Sequence, residues 1–172
     1  MSYIPYYEIP GDIAMIIENY PVKRTGVKLA LEGFPGSSFT IFTQRLGDWE
    51  EIVRSLPAIE IDVLVSDIAY DKDDSITWRL IPITVTVYIP LRTRDKSIAE
   101  AIAEEELSDR GIKQVMTDLE SVLDAMISNK GVTYDLEMVA GNIPEQAFEF
   151  DEAMGVRVRV GMVHMIARCA IG

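Results

Sequence analysis

The chain has 172 residues, of which 48% are hydrophobic and 26% are charged, and its formal net charge is −12. This composition excludes a disordered chain, and a chain of this length buries about 70% of its unfolded surface without needing disulfides or metals. The negative charge repels phosphate groups at long range, so free nucleic acid is not an expected partner. We expect one folded domain over residues 1–172.

The cysteine content and the N-terminus bear on the cellular compartment. Cys169 is the only cysteine and cannot form an internal disulfide, so nothing indicates an oxidising environment. Residues 1–8 lack the basic start and the apolar run of a signal peptide, and no window has the length of a membrane span. We therefore expect a protein that is made in the cytosol and has no membrane partner.

Four short elements are expected in the first third of the chain. Asp12 caps a helix whose apolar residues recur at helical spacing, and Pro21 ends it. Turn residues at 33–36 separate two short strands and predict a hairpin. Asp48, with a Glu three residues later, is typical of the start of a further short helix. The predicted ranges are 12–20, 27–31, 38–43 and 48–57.

The middle of the chain predicts two strands joined by an acidic loop. Residues 61–65 alternate and have one strongly apolar face, whereas the acidic run 71–75 has the composition of a solvated loop, which we expect to extend over 67–78. Residues 79–89 alternate over their whole length and form the second strand. Because Pro82 has no N–H to donate, we expect its end of the strand to lie at an edge of the sheet.

The last part of the chain predicts the main helix and the closing strands. After Pro90 the composition turns polar, which indicates an arm or a helix around residues 90–109. The main helix is expected at 110–129, with one apolar stripe that includes Leu119 and a stop at Gly131. The strands that follow are predicted at 134–139, 147–151 and 156–167. Together these patterns predict an α+β fold, in which a mostly antiparallel sheet packs against one main helix and shorter helices.

The glycine-rich segment 33–38 resembles two chemical motifs and departs from both. A phosphate-binding loop needs a Lys and a following helix, whereas the strand-like residues 39–43 follow here. A nucleophile elbow needs a Gly two residues after its Ser, and Thr40 stands two residues after Ser38. We therefore interpret the segment as a structural turn.

His164 and the carboxylates are the other candidates for chemistry. His164 is the only histidine, and it shares the parity of the apolar residues in the closing strand, which favours a core or interface position over catalysis. An acid–base pair of His164 with a carboxylate stays open as an alternative. The acidic run that begins at Asp71 has Ile76 and Pro82 where a calcium loop needs Gly and Glu, so that motif fails. We expect no catalytic residue, no cofactor and no metal.

Arginine and tryptophan side chains are the candidates for partner binding, since these residue types anchor protein interfaces. The candidates for a subunit interface are Trp78, Arg79, Arg92 and Arg94. Arg157 and Arg159 share one face of the closing strand. A solvated strand face is one interpretation of this pair, and a positive band facing a lumen or a partner is the other.

The order of these elements resembles that of the tail terminator, or tail completion, proteins of long-tailed bacteriophages. The resemblance spans most of the chain and lies in the N-terminal helix, the strand at 81–89, the arm after Pro90, the helix ending at Gly131 and the closing strand of alternating Val and Arg. It implies a small α+β subunit of a hexameric ring between the tail tube and the head–tail connector. The family that it resembles has no catalytic signature.

The resemblance also implies partners and a location. The chain would bind copies of itself, the tail tube and the connector proteins, and DNA would pass through the ring without specific recognition. It would belong to the tail or neck of a virion that is assembled in the host cytoplasm. The alternatives are another tail, connector or baseplate subunit, or a small enzyme that uses His164 with a carboxylate.

Overall fold

The computed structural model of the chain describes residues 8–30, 38–44, 49–64, 68–73, 76–92, 111–124, 135–142, 148–151 and 156–171. It confirms the predicted fold class, an α+β protein with a mostly antiparallel sheet, one main helix and shorter helices. The helices are α1 (Ile9–Asn19), α2 (Trp49–Arg54) and the main helix α3, whose described part spans 111–124. The strands are β1 (Thr40–Phe42), β2 (Ala58–Val63), β3 (Ala69–Asp73), β4 (Ile76–Arg92), β5 (Asp135–Asn142), β6 (Phe148–Asp151) and β7 (Val156–Ile171). Within these ranges, none of the helices has the length and apolar character needed to cross a membrane.

Two long antiparallel strands, β4 and β7, form the centre of the sheet. They pair along almost their whole length, with Ile83 opposite Met165 near the middle. On the outer edge of β4, the strands β3 and β2 pair with successive parts of that strand. On the outer edge of β7, β5 and β6 do the same. The strand β1 pairs in parallel with β2 and extends the sheet by one position.

The two faces of this central ribbon carry different cores. The odd-numbered residues of β4 from 81 to 89 are at most 1% exposed and pack with the apolar residues of α1 and α3. The predicted stripe of the main helix is confirmed, since Leu119 at its centre is fully buried in this core. On the opposite face, Ile52 of α2 belongs to a smaller core with Tyr88 and Val160. Burial of apolar surface on both faces is the main stabilising contribution to the fold.

The sequence predicts that the Pro82 end of its strand lies at an edge of the sheet. In the structure Pro82 lies inside β4, which is a central strand. Its carbonyl oxygen accepts a hydrogen bond from the N–H of Leu64 at 2.9 Å, so the backbone of Pro82 faces the side of β4 where β2 and β3 pair. On that side the pairing with β2 ends at Ile83 and the pairing with β3 ends at Leu80. The missing N–H of Pro82 therefore falls in the gap between two strands and removes no ladder hydrogen bond.

Two predictions for the N-terminal part need correction. The helix α1 begins at Ile9, so Asp12 lies in its first turn and is not the cap, although Pro21 follows its end as predicted. Of the hairpin predicted over 27–43, one isolated antiparallel bridge between Ala30 and Ser38 is present, and the second predicted strand pairs in parallel with β2 as β1. The predicted turn at 33–36 lies outside the described residues.

The acidic segment that was predicted as a loop over 67–78 is largely a hairpin. The strand β3 covers Ala69–Asp73 and β4 begins at Ile76, so the loop prediction is wrong for these residues. Of the predicted arm at 90–109, residues 90–92 belong to β4, and the rest lies outside the described residues. The main helix was predicted at 110–129, and its residues 111–124 are helical as expected.

Candidate interaction surface

The β3–β4 hairpin presents two aromatic side chains beside arginines. In its register Tyr70 is opposite Arg79 and Asp71 is opposite Trp78, so the two aromatic residues lie on different faces of the sheet. The Cζ atom of Arg79 is 5.9 Å from the centroid of the Tyr70 ring. Tyr70 is nevertheless 64% exposed. The Tyr70 ring is therefore accessible to a partner, while the Arg79 guanidinium lies over one of its faces.

The second aromatic pair lies on the face of the sheet away from α3. Arg168 of β7 places its Cζ atom 4.3 Å from the centroid of the Trp78 ring, close enough for a cation–π interaction of about 0.5–2 kcal/mol. Both side chains are half-buried. Trp78 and Arg79, the two predicted interface residues in this strand, are thus adjacent in the chain and face opposite ways. Aromatic and arginine side chains dominate the energetic centres of known interfaces.

The other two predicted interface residues lie at the far end of β4 or beyond it. Arg92 is the last residue of that strand and pairs with Val156. Its side chain and the whole of Arg94 lie outside the described residues. A regular strand rises about 3.3 Å per residue, which separates the backbones of Trp78 and Arg92 by about 45 Å. The structure therefore separates Arg92 from Trp78 and Arg79, which lie near the other end of the strand.

Arg157 and Arg159 pair with the odd-numbered residues of β4, whose side chains face the main core. Arg159 is opposite Ile89 and is 5% exposed, so the interpretation as a solvated strand face is wrong for this side chain. A buried guanidinium needs polar groups around it, and contact with a lumen or a partner would require the side chain to leave this position. Arg157 is opposite Leu91, and its side chain lies outside the described residues.

His164 lies in a polar row on the face of the sheet opposite α3. Asp62, Thr84 and His164 are aligned across β2, β4 and β7, and all three are half-buried. His164 Nδ1 is 3.4 Å from Thr84 Oγ1. The fold therefore places a carboxylate on the face of His164, which the neighbours in sequence did not indicate. Two strand spacings, about 10 Å, separate the backbones of Asp62 and His164, so an acid–base pair would have to act across Thr84.

Tyr70 is the interface candidate that the sequence did not single out. It stands directly before an acidic run whose composition indicated a loop. The signal that was present is the alternation of Tyr70 and Lys72 with Asp71 and Asp73, which is typical of a strand with two different faces. Over four residues this alternation is too short to outweigh the composition of the run.

Metal chemistry and similarity to known proteins add no assignment. In the part of the chain that the structure describes, no group of three or more His, Cys, Asp or Glu side chains is placed to hold a metal ion. No protein-family model and no curated protein matches the chain. A function for this protein therefore rests on its fold and on the surfaces described above.

Proposed function

We propose that the chain is a structural subunit of a bacteriophage tail, a tail terminator that forms a closed ring between the tail tube and the head–tail connector. The α+β fold, with one main helix on a mostly antiparallel sheet, agrees with the fold that the resemblance to this family implies. The role needs no catalytic residue and no cofactor. It places the protein in the tail or neck of a virion that is assembled in the host cytoplasm.

The observation that carries this proposal is the β3–β4 hairpin. Its strand β3 lies at an edge of the described sheet, and Tyr70 on that strand is 64% exposed. An exposed ring over an arginine adds little to the stability of a monomer, because the ring is not removed from water. At an interface the same ring is an anchor, since tyrosine and arginine supply much of the binding energy.

A closed ring requires two different surfaces on each subunit that fit each other. The hairpin end of β4 and the Arg92 end of β4 lie about 45 Å apart, a separation that suits contacts with two different neighbours. We assign one neighbour to the hairpin and the other to the opposite side of the subunit, to which the arm that follows Arg92 contributes. The resemblance supplies the count of six subunits, the tail tube and the connector as partners on the two open sides of the ring, and DNA as a passing and not specifically bound molecule.

The test of the proposal is the mass of the purified protein in solution. Sedimentation velocity and native mass spectrometry should give a species of six subunits, and negative-stain electron microscopy should show rings. Tyr70→Ala should weaken this association without changing the circular dichroism spectrum. The matched control is Met15→Ala, because Met15 is 62% exposed on α1 and outside the proposed contact. A wild type that stays monomeric, alone and with tail tube and connector proteins added, would contradict the proposal.

A second candidate function is a small enzyme, and the row of Asp62, Thr84 and His164 is the observation that favours it. In that case the protein would be a monomer with a hydrolytic activity that depends on His164. The same purified sample distinguishes the two candidates, since its mass and its activity are measured side by side.

A further inference from the structure

A turn of positive charge lies on the surface of this acidic protein. We call residues 22–28 the basic turn, and its exposed cations are Lys23, Arg24 and Lys28. Two backbone hydrogen bonds close the turn: the N–H of Val22 donates to the carbonyl of Val27, and the N–H of Gly26 donates to the carbonyl of Val22, both at 2.8 Å. Gly26 has a φ of 68°, a left-handed conformation that glycine adopts without strain. The turn is thus a defined structure.

The guanidinium of Arg24 attaches the basic turn to α3. Its Nε donates to Asp118 Oδ1 at 3.1 Å, and its Nη2 donates to Asp118 Oδ2 at 2.8 Å. The backbone N–H of Lys23 donates to Ser121 Oγ at 3.4 Å. Two residues about one helical turn apart on α3 therefore hold the backbone of the basic turn.

The side chains of Lys23 and Lys28 take no part in this attachment. Among the described residues, neither ammonium group has an ion-pair partner. Val27, which lies next to Lys28, is 61% exposed. The basic turn therefore presents two cations and one exposed aliphatic side chain on a protein whose net charge is −12.

One face of the β3–β4 hairpin combines an exposed aliphatic side chain with negative charge. We call it the acidic hairpin face. Asp71 is opposite Trp78 and Asp73 is opposite Ile76, so these positions share a face. Asp71 is exposed and Ile76 is 44% exposed. The guanidinium on this face, that of Arg168, is stacked on the Trp78 ring. The acidic hairpin face therefore presents carboxylate charge beside an exposed aliphatic side chain.

We infer that the basic turn of one subunit binds the acidic hairpin face of the neighbouring subunit. This inference rests on the proposed ring, and it names the two different surfaces that a head-to-tail contact requires. The lysines of the turn meet Asp71, and Val27 meets Ile76. Opposite charges fix the register of such a contact and disfavour wrong partners, while the apolar pair contributes buried area at its centre.

The distribution of exposed apolar residues favours a second copy of this chain as the partner. In the described residues four large hydrophobic side chains are exposed, and three of them belong to the hairpin or to the basic turn. Val27 and Ile76 lie on the two surfaces of the inferred contact, whereas Tyr70, the third of them, lies on the other face of the hairpin. Each copy of the chain therefore carries both surfaces of a contact that is complementary in charge and apolar at its centre. A second copy is a partner that always carries the matching surface.

The test exchanges the charges of the two surfaces. The first variant carries Lys23→Glu and Lys28→Glu, and the second carries Asp71→Lys and Asp73→Lys. Each variant alone should associate at least about tenfold more weakly than the wild type, because like charges then face each other. An equimolar mixture of the two variants should recover the association, since every contact in a ring of alternating variants pairs opposite charges. Arg24 is left unchanged so that the basic turn stays attached to α3.

The control variant carries Arg54→Glu and Lys113→Glu, which change the net charge as much as the first variant does, and it should associate like the wild type. Sedimentation velocity over a concentration series measures association, and circular dichroism verifies that each variant is folded. If both charge-exchange variants associate like the wild type, or if the mixture of folded variants does not recover, the inferred contact is wrong and the ring proposal still stands. If the wild type itself never associates, both are wrong.

Discussion

Arg24 and Asp118 form a bidentate ion pair that joins the turn after α1 to the main helix, although 94 positions separate them in the chain. The side chain of Asp118 is 5% exposed, whereas that of Arg24 is 43% exposed. Gln114 Nε2 also donates to Asp118 Oδ1, at 3.0 Å. The carboxylate is therefore surrounded by donors, while its cation remains partly in water and loses little hydration.

Arg24→Met should lower the free energy of unfolding by about 1–3 kcal/mol, because it leaves the buried Asp118 carboxylate without its charged donor. The partial exposure of Arg24 keeps the expected loss below that of a fully buried pair. The control is Arg54→Met, which removes a pair with Glu50 whose side chains are 71% and 66% exposed and should change stability by less than about 0.5 kcal/mol. Urea denaturation at matched protein concentration measures both, and equal effects would argue against a stabilising role of the Arg24 pair.

Leu119→Ala should lower the free energy of unfolding by about 2–5 kcal/mol, since it opens a cavity in the centre of the main core. Leu119 is fully buried on the face of α3 that packs with α1 and the sheet. The neighbouring control is Thr117→Ala on the exposed face of the same helix, with an expected change of about 0.5 kcal/mol or less. A loss for Leu119→Ala as small as that of the control would place this residue outside the core.

The elements that could be predicted from the sequence are those with a long, regular period. The strands around Ile83 and Val163 and the stripe around Leu119 repeat their pattern over many residues, and such long patterns rarely arise by chance. Parity shows which side chains of a strand share a face, but not which face is covered. For that reason the sequence predicts that Arg157 and Arg159 share a face of the closing strand, but it does not predict that Arg159 is buried.

The candidate surface could be predicted by residue type and not by arrangement. Trp78 and Arg79 are interface candidates because aromatic and arginine residues anchor interfaces, and this prediction requires no knowledge of the fold. The roles of Tyr70 and of the basic turn depend on residues that are remote in the chain. Arg24 becomes an anchor only through Asp118, and no local pattern in the sequence indicates that contact.

Gly161→Ala should lower the free energy of unfolding by about 1–3 kcal/mol, because β7 and α3 approach each other closely at this residue. An added Cβ would lie 2.6 Å from Met116 Sδ and 3.2 Å from Ile112 Cδ1. The flexible Met116 side chain can shift, which keeps the cost moderate. Gly11→Ala in α1 is the control, since nothing lies within 4 Å of the added methyl group, and it should raise stability by up to about 1 kcal/mol. Thermal unfolding compares the two, and a neutral Gly161→Ala would mean that the Met116 and Ile112 side chains make room for the methyl group at no cost.

His164→Ala should leave both the fold and the association of the subunits intact. The imidazole is half-buried, and its Nδ1 atom lies 3.4 Å from Thr84 Oγ1, so the loss of this contact should cost about 0.5–1.5 kcal/mol. Thr84→Val removes the same contact from the other side and should have a similar effect on stability. Denaturation measures the stability of the fold, sedimentation velocity measures subunit association, and an assay with ester and phosphoester substrates measures hydrolytic activity. A hydrolytic activity of the wild type that disappears in folded His164→Ala, and falls in Thr84→Val because the pair acts across Thr84, would favour the enzyme over the ring subunit.

Arg92→Glu combined with Arg94→Glu should weaken subunit association while leaving the fold of the monomer intact. Arg92 ends β4, about 45 Å from the hairpin at the other end of that strand, so this pair tests a part of the interface that the hairpin of the same subunit does not reach. We expect these two charges to contribute little to folding, as ion pairs at protein surfaces do, whereas charges across an interface set the register and the rate of association. The measurement compares sedimentation velocity and circular dichroism of the double variant and the wild type at matched concentration and salt, with Arg92→Lys combined with Arg94→Lys as the charge-conserving control. Association that is unchanged in the Glu variant would remove this end of β4 from the interface, and loss of the circular dichroism signal would place these arginines in the folded core.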